Sequence, residues 1–203
     1  MVCDVKDYTS RDTIYMYSNT DVFKNKFDIR DLKDLKEQEM FFTSIRITDL
    51  QIKPLLGDLT FEHLKKIHKY IFQDIYDFAG ETRKVDIEKG NSKFCCSQYI
   101  EIEAERIFKK LAEEKHYSEY NFLQYSEKIA NFMGDIIALH PFREGNGRAN
   151  REYLRILCWR NGYELNYNFF SKEEILKADI LAFNGDISLL LELINKGLIN
   201  KIK

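Results

Sequence analysis

Apolar residues recur at three- and four-residue spacing along most of the chain, the period of one helix face. The clearest run is Asn121 to His140, where Phe122, Tyr125, Ile129, Phe132, Met133, Ile136 and Ile137 form one stripe and predict a central buried helix. Ahead of it, Leu32, Leu35, Phe42, Ile45 and Leu50 give a looser face behind Asp31 as N-cap, ended by Pro54 and Gly57. Leu64, Ile67, His68, Ile71, Phe72 and Ile75 mark a second helix, from Asp58 or Thr60 to Ala79-Gly80. Gln98 to Lys115 predicts a charged helix with Ile102, Ile107, Phe108 and Leu111 inward. Beyond the central run, Arg148 to Arg160 is helical and stops at Asn161-Gly162, and Ser171 with Glu174 makes a capping box for the next helix. Asp186 caps a last one, with Ile187, Leu190, Leu191, Ile194 and Leu198 inward.

One stretch changes period. Thr82 to Glu88 alternates charge with Val85 and Ile87, Gly90-Asn91-Ser92 supplies turn residues, and Phe94 begins a return arm. These read as a short hairpin, the only convincing β element. Residues 1–30, with Tyr15, Tyr17, Phe23 and Phe27, show weak periodicity and predict an irregular arm on the core. The expectation is an all-α fold of about seven helices with one hairpin. No repeat or Pro/Gly/Ser-rich linker divides residues 1–203, so one domain is expected.

Composition narrows the function classes. At 203 residues and 44% hydrophobic content the chain can bury one sizeable core. Thirty-one basic residues against 33 acidic ones give a net charge of −2, which argues against direct nucleic-acid binding and against a membrane surface, so an anion site must be local. No run approaches the ~20 apolar residues of a spanning helix. The leading MVCDVKDYTSRD lacks a signal-peptide core, and a cytoplasmic protein is expected. The four cysteines show no CxxC spacing, so free thiols in a reducing compartment fit best. His63 and His68 lie five apart, off the shared face that metal ligands need, and His68 reads as a structural, hydrogen-bonded residue.

The candidate chemistry is concentrated in His140-Pro141-Phe142-Arg143-Glu144-Gly145-Asn146-Gly147-Arg148-Ala149-Asn150-Arg151. Gly145-Asn146-Gly147 sits between two helices, so its N–H groups stand at a helix N-terminus, where unsatisfied donors and the helix dipole favour a phosphate. Arg148 and Arg151, three apart on one face, can flank the same polyphosphate. Glu144 supplies the hard oxygen that magnesium shares with nucleotide phosphates. His140 can serve as a general base near neutral pH, and Phe142 anchors the loop. Together these parts make a phosphate-transfer site. Taken singly, each also suits a plain helix connection with solvated arginines. The hairpin is either an inconsequential exposed loop or a flap whose backbone edge pairs with an extended partner segment.

His140, Phe142, Glu144, Gly145, Asn146, Gly147, Arg148 and Arg151 match HxFx(D/E)GNGRxxR, the signature of the Fic family, at every fixed position. Leu64-Lys65-Lys66-Ile67-His68, Ile71-Phe72 and Ile75 to Arg83 also resemble that family's first core helix and its exit. The resemblance implies an all-α Fic fold with a β-hairpin flap, and transfer of AMP from ATP to a Ser, Thr or Tyr hydroxyl of a target protein. By this resemblance His140 is the base and Glu144 holds Mg²⁺ on the α- and β-phosphates. Asn146 and the Gly145 and Gly147 amides form the α-phosphate hole, Arg148 binds the β-phosphate and Arg151 the γ-phosphate. Lys84, Val85, Asp86, Ile87 and Phe94 belong to the flap that registers the target. Two alternatives stay open: transfer of another nucleotidyl group, as from UTP, and a nucleotide-sensing interaction protein without turnover. Self-modification is a further outcome.

Many members restrain themselves with a helix bearing (S/T)xxxE(G/N). Ser97 to Glu101 and Ser188 to Glu192 have the first spacing, but Ile102 and Leu193 replace the required Gly or Asn. The preferred expectation is a separate small antitoxin whose inhibitory helix contacts Arg151. Ser188 to Glu192 as a divergent C-terminal inhibitor is the alternative.

Overall fold

Seven α-helices stand among the described residues, 14–89 and 92–200 of the computed structural model. They are α1 (Leu32–Ile52), α2 (Phe61–Phe72), α3 (Ile100–Glu113), α4 (Phe122–Leu139), α5 (Asn146–Arg160), α6 (Lys172–Phe183) and α7 (Ser188–Gly197). Cys3, the first part of the expected arm and the Gly90-Asn91 turn lie outside the described residues. None of the described helices is long and apolar enough to cross a membrane.

Helix α4 is the hub and packs on α3, α5, α6 and α7. An Asn121–Gln124 capping box starts it, and Tyr125, Ile129, Phe132, Met133, Ile136 and Ile137 are all buried, as their stripe predicts. It ends where His140 turns left-handed (φ 43°), its N–H still bonded to the Ile136 carbonyl. Helix α5 starts at Gly145, also left-handed at φ 79°. The intervening loop is therefore a tight corner between two buried helices, and α2 packs on α5 beneath it.

Several expectations change. Helix α1 buries only Leu35, Thr43 and Leu50, and Leu32 and Ile45 remain exposed, because its inward stripe is one residue wide. In α3 the stripe runs Ile100, Ala104, Ile107, Phe108 and Leu111, which turns Ile102 to solvent at 63% exposure. Helix α2 stops at Phe72, and Ile75 and Ala79 are buried from the turns that follow.

The hairpin forms with strands β1 (Glu88–Lys89) and β2 (Ser92–Lys93) in antiparallel register Glu88↔Lys93, so its ladder is far shorter than its arms. A second antiparallel pair was not expected: β3 (Tyr163–Leu165) with β4 (Leu198–Asn200), which takes Leu198 out of the last helix. Strands of three residues are too short to display an alternating pattern. Cys95 and Cys158 are free thiols.

Candidate active site

The corner between α4 and α5 is braced from below by His68 on α2. The Gly80 N–H donates to its Nδ1 (2.8 Å), so Nε2 carries the proton and donates to the Glu144 carbonyl (2.9 Å). The ring stacks on Phe142 at 3.9 Å, and Phe142 is fully buried, the anchor its place in the loop suggested. Burial pushes the His68 pKa down to about 4 and keeps the ring neutral. His68 is thus the structural histidine expected.

Asn146 closes the corner. Its side chain accepts from the Phe142 N–H (2.9 Å) and donates one N–H to the Phe142 carbonyl (2.8 Å), so the side chain is fixed in the loop and the main-chain N–H stands at the start of α5. The N-cap, Gly145, provides no side-chain cap, and the N–H groups of the first turn of α5 have no side-chain acceptor among the described residues. A Cβ on Gly145 would lie 2.1 Å from Phe72 Cζ, so only glycine meets both the positive φ and the contact.

These donors face a cavity of about 1150 Å³. His140, Glu144, Gly145, Asn146, Gly147 and Arg151 line one side, Ile87 and Phe94 of the hairpin another, and α6 the far wall. Most of the expected site residues are therefore brought together. Arg151 makes no hydrogen bond or ion pair among the described residues, so its charge is available to the cavity. Asn150, between the motif arginines, is 1% exposed and its carbonyl oxygen has no hydrogen-bond partner among the described residues.

Arg148 is placed differently. It is absent from the cavity lining and is bonded to Glu39 of α1 (2.8 Å) and to Glu144 (3.3 Å). Tyr76 donates its hydroxyl to the second oxygen of Glu39, and burial, then the Glu39 charge, pushes the Tyr76 pKa up.

The hairpin is fastened by Arg83, whose side chain is completely buried. Its guanidinium donates to the carbonyls of His140 (2.9 Å), Val85 (2.8 Å) and Cys95, joining both hairpin arms to the end of α4. Its own N–H donates to the Pro141 carbonyl (2.9 Å). Phe94 stacks on the His140 imidazole with ring centroids 3.8 Å apart. Of the other hairpin residues, the Lys84 N–H donates to the Tyr15 hydroxyl (3.0 Å) and the Asp86 carboxylate accepts from the Ser97 N–H (2.5 Å). Lys84, Val85 and Asp86 thus form the base of the hairpin, whereas Ile87 and Phe94 reach the cavity.

The donor set suits magnesium. Glu144 Oε1 accepts from the Gly145 N–H (2.9 Å) and from Arg148, and its second oxygen has no hydrogen bond among the described residues. No group of three or more His, Cys, Asp or Glu side chains converges there among the described residues, which excludes an all-protein cage of such ligands. Magnesium held by one carboxylate, with phosphates and water completing the shell, needs no such cage.

Neither candidate inhibitory glutamate reaches Arg151. Glu192 pairs with Lys196 on its own helix (2.5 Å), and Glu101 accepts from Thr82 (3.1 Å).

Residues 58–158 match the sequence model of the Fic/DOC family. The protein adenylyltransferase VbhT of Bartonella schoenbuchensis is 36% identical over 96% of this chain, which spans 41% of that relative's length. The probable protein adenylyltransferase y4lH of Sinorhizobium fredii is 37% identical over 85% of this chain and 88% of its own. Among solved structures, BepC of Bartonella tribocorum with bound AMPPNP superimposes with a TM-score of 0.88 at 22% identity, covering 94% of this chain and 98% of that one.

Proposed function

The chain belongs to the Fic/DOC family, and on that premise we propose that it is a protein adenylyltransferase that moves AMP from ATP to a hydroxyl of a target protein. One observation carries the proposal: the first-turn N–H groups of α5, the Glu144 carboxylate and the His140 side chain share one cavity with Arg151, which has no ion pair among the described residues. Phosphoryl chemistry asks for these parts, because catalysis there is positioning plus charge stabilisation.

The amides of Asn146 and Gly147 hold the α-phosphate at the helix dipole, and the Gly145 N–H, donated to Glu144 Oε1, fixes the carboxylate beside it. Arg151 takes the distal phosphate charge, and Arg148, paired with Glu39 and Glu144, gives the β-phosphate the donors those carboxylates leave over. Glu144 would hold magnesium, which would supply neutralisation of phosphate charge. His140 accepts the proton of the target hydroxyl as its oxygen bonds to the α-phosphorus; the bond from that phosphorus to the bridging oxygen breaks, and pyrophosphate leaves. The flap, held to the end of α4 by Arg83, presents its edge to an extended target segment, with Ile87 and Phe94 facing the reacting groups. ATP as donor fits a cytoplasmic site of action. An exposed Glu192 turned to Lys196 leaves restraint of Arg151 to a separate antitoxin with an acidic helix.

The test is incubation with a cell lysate and ATP labelled on either the α- or the γ-phosphate. Protein label from the α-phosphate alone is expected. Label from the γ-phosphate would mean phosphorylation, and label from neither would favour a nucleotide sensor.

A further inference from the structure

Arg148 sits between two carboxylates from distant parts of the chain, Glu39 on α1 and Glu144 in the corner. Its NH2 donates to Glu39 Oε1 at 2.8 Å and to Glu144 Oε1 at 3.3 Å. Thr43, one turn beyond Glu39, accepts from NH1 at 3.4 Å, and the Phe72 ring lies 4.6 Å from the guanidinium carbon. The other Glu39 oxygen is taken by the hydroxyl of Tyr76, a residue 1% exposed, so the carboxylate is held at both ends. The Glu39 side chain is 16% exposed against 40% for Glu144, which makes its attraction for the guanidinium less screened by solvent.

A guanidinium and a divalent cation compete for the same carboxylate oxygens. We propose that Glu39 is a positioning residue that holds Arg148 to one long contact with Glu144 Oε1, leaving the second Glu144 oxygen to take magnesium with the nucleotide phosphates. The inference rests on the reading of the loop as the ATP site. Without the Glu39 charge, the remaining carboxylate paired with Arg148 among the described residues is Glu144, its neighbour at four residues' spacing on the chain, and the pair would close over the metal position. Tyr76 and Thr43 then serve to fix Glu39 and the guanidinium rather than to touch nucleotide.

The experiment is a calorimetric titration of ATP into the full chain at increasing magnesium, for wild type and for Glu39→Gln, with AMP transfer measured in parallel. The magnesium concentration that gives half of the full ATP affinity should rise about tenfold in Glu39→Gln, the size typical of a lost outer-shell partner. The transfer rate at saturating magnesium should change little, and Glu39→Asp should recover part of the shift. A merely structural role would lower the melting temperature and the active fraction and leave the magnesium dependence in place; that result in a folded Glu39→Gln overturns the proposal. If Glu39→Gln does not fold, Tyr76→Phe decides: a smaller shift in the same direction supports the proposal, an unchanged dependence overturns it. A wild type that binds ATP without transferring AMP removes the proposed function but not this role, which the binding titration settles alone.

Discussion

His68 Nε2 donates to the main-chain carbonyl of Glu144 at 2.9 Å, which fastens helix α2 to the corner that carries the site. With Nδ1 accepting from Gly80 and the pKa held down at about 4 by burial, the ring is neutral in the fold. An unfolded histidine takes up its proton near pH ~6.5. Below that pH the unfolded chain binds a proton that the fold refuses, so stability falls with pH until the folded value of about 4 is reached. The full loss from this one group is on the order of 3 kcal/mol. Thermal melts between about pH 8 and about pH 5 should show a falling melting temperature. His68→Leu should melt lower at neutral pH and depend less on acid, with a residual slope from His63, whose pKa burial also lowers.

Gly145 is the second structural condition of the corner. Gly145→Ala meets both a left-handed φ of 79° and a ring atom 2.1 Å from the new methyl group, and should destabilise the fold by about 2–4 kcal/mol. Scanning calorimetry checks this. Phe72→Leu added to Gly145→Ala should recover the part due to the clash and leave the backbone strain.

The stripe of α4 and the composition of the loop were legible because both are local: a helix face repeats every few residues, and the site chemistry lies in consecutive positions. The same locality explains what was not. Glu39 meets Arg148 across 109 residues, and nothing in Glu37-Gln38-Glu39 distinguishes a phosphate-site counterion from a solvated helix charge. Arg83 was visible only as part of the stretch resembling the family's first core helix and its exit. Its task became clear once the carbonyls of Val85, Cys95 and His140 were seen converging on it. Ile102 was placed inward by a spacing count that the true stripe of α3 misses by two residues.

Arg83 also yields a prediction. An ammonium cannot reach three carbonyls that a planar guanidinium serves together, so Arg83→Lys leaves buried acceptors unpaired at about 1–3 kcal/mol each. The hairpin should become a site of limited proteolysis. AMP transfer to a protein target should fall, and calorimetric ATP affinity should stay close to that of wild type.

Glu192→Gly should leave AMP transfer by the isolated chain unchanged, since Glu192 pairs with Lys196 on the surface of α7 rather than with Arg151. Strong activation of that variant in a labelled-ATP assay would restore the C-terminal helix as an internal inhibitor. Suppression of the wild type by a separate inhibitory helix, relieved when the glutamate of that helix is changed to glycine, would place the restraint in trans.

The central claim, that His140 activates a target hydroxyl beside an ATP seated on the α5 N-terminus, is tested most directly by His140→Ala assayed with ATP labelled on the α-phosphate and, in parallel, for ATP binding by calorimetry. The account predicts that label incorporation into protein is lost while ATP binding remains within a few-fold of wild type, on the order of RT. Incorporation at the wild-type rate in His140→Ala would contradict it.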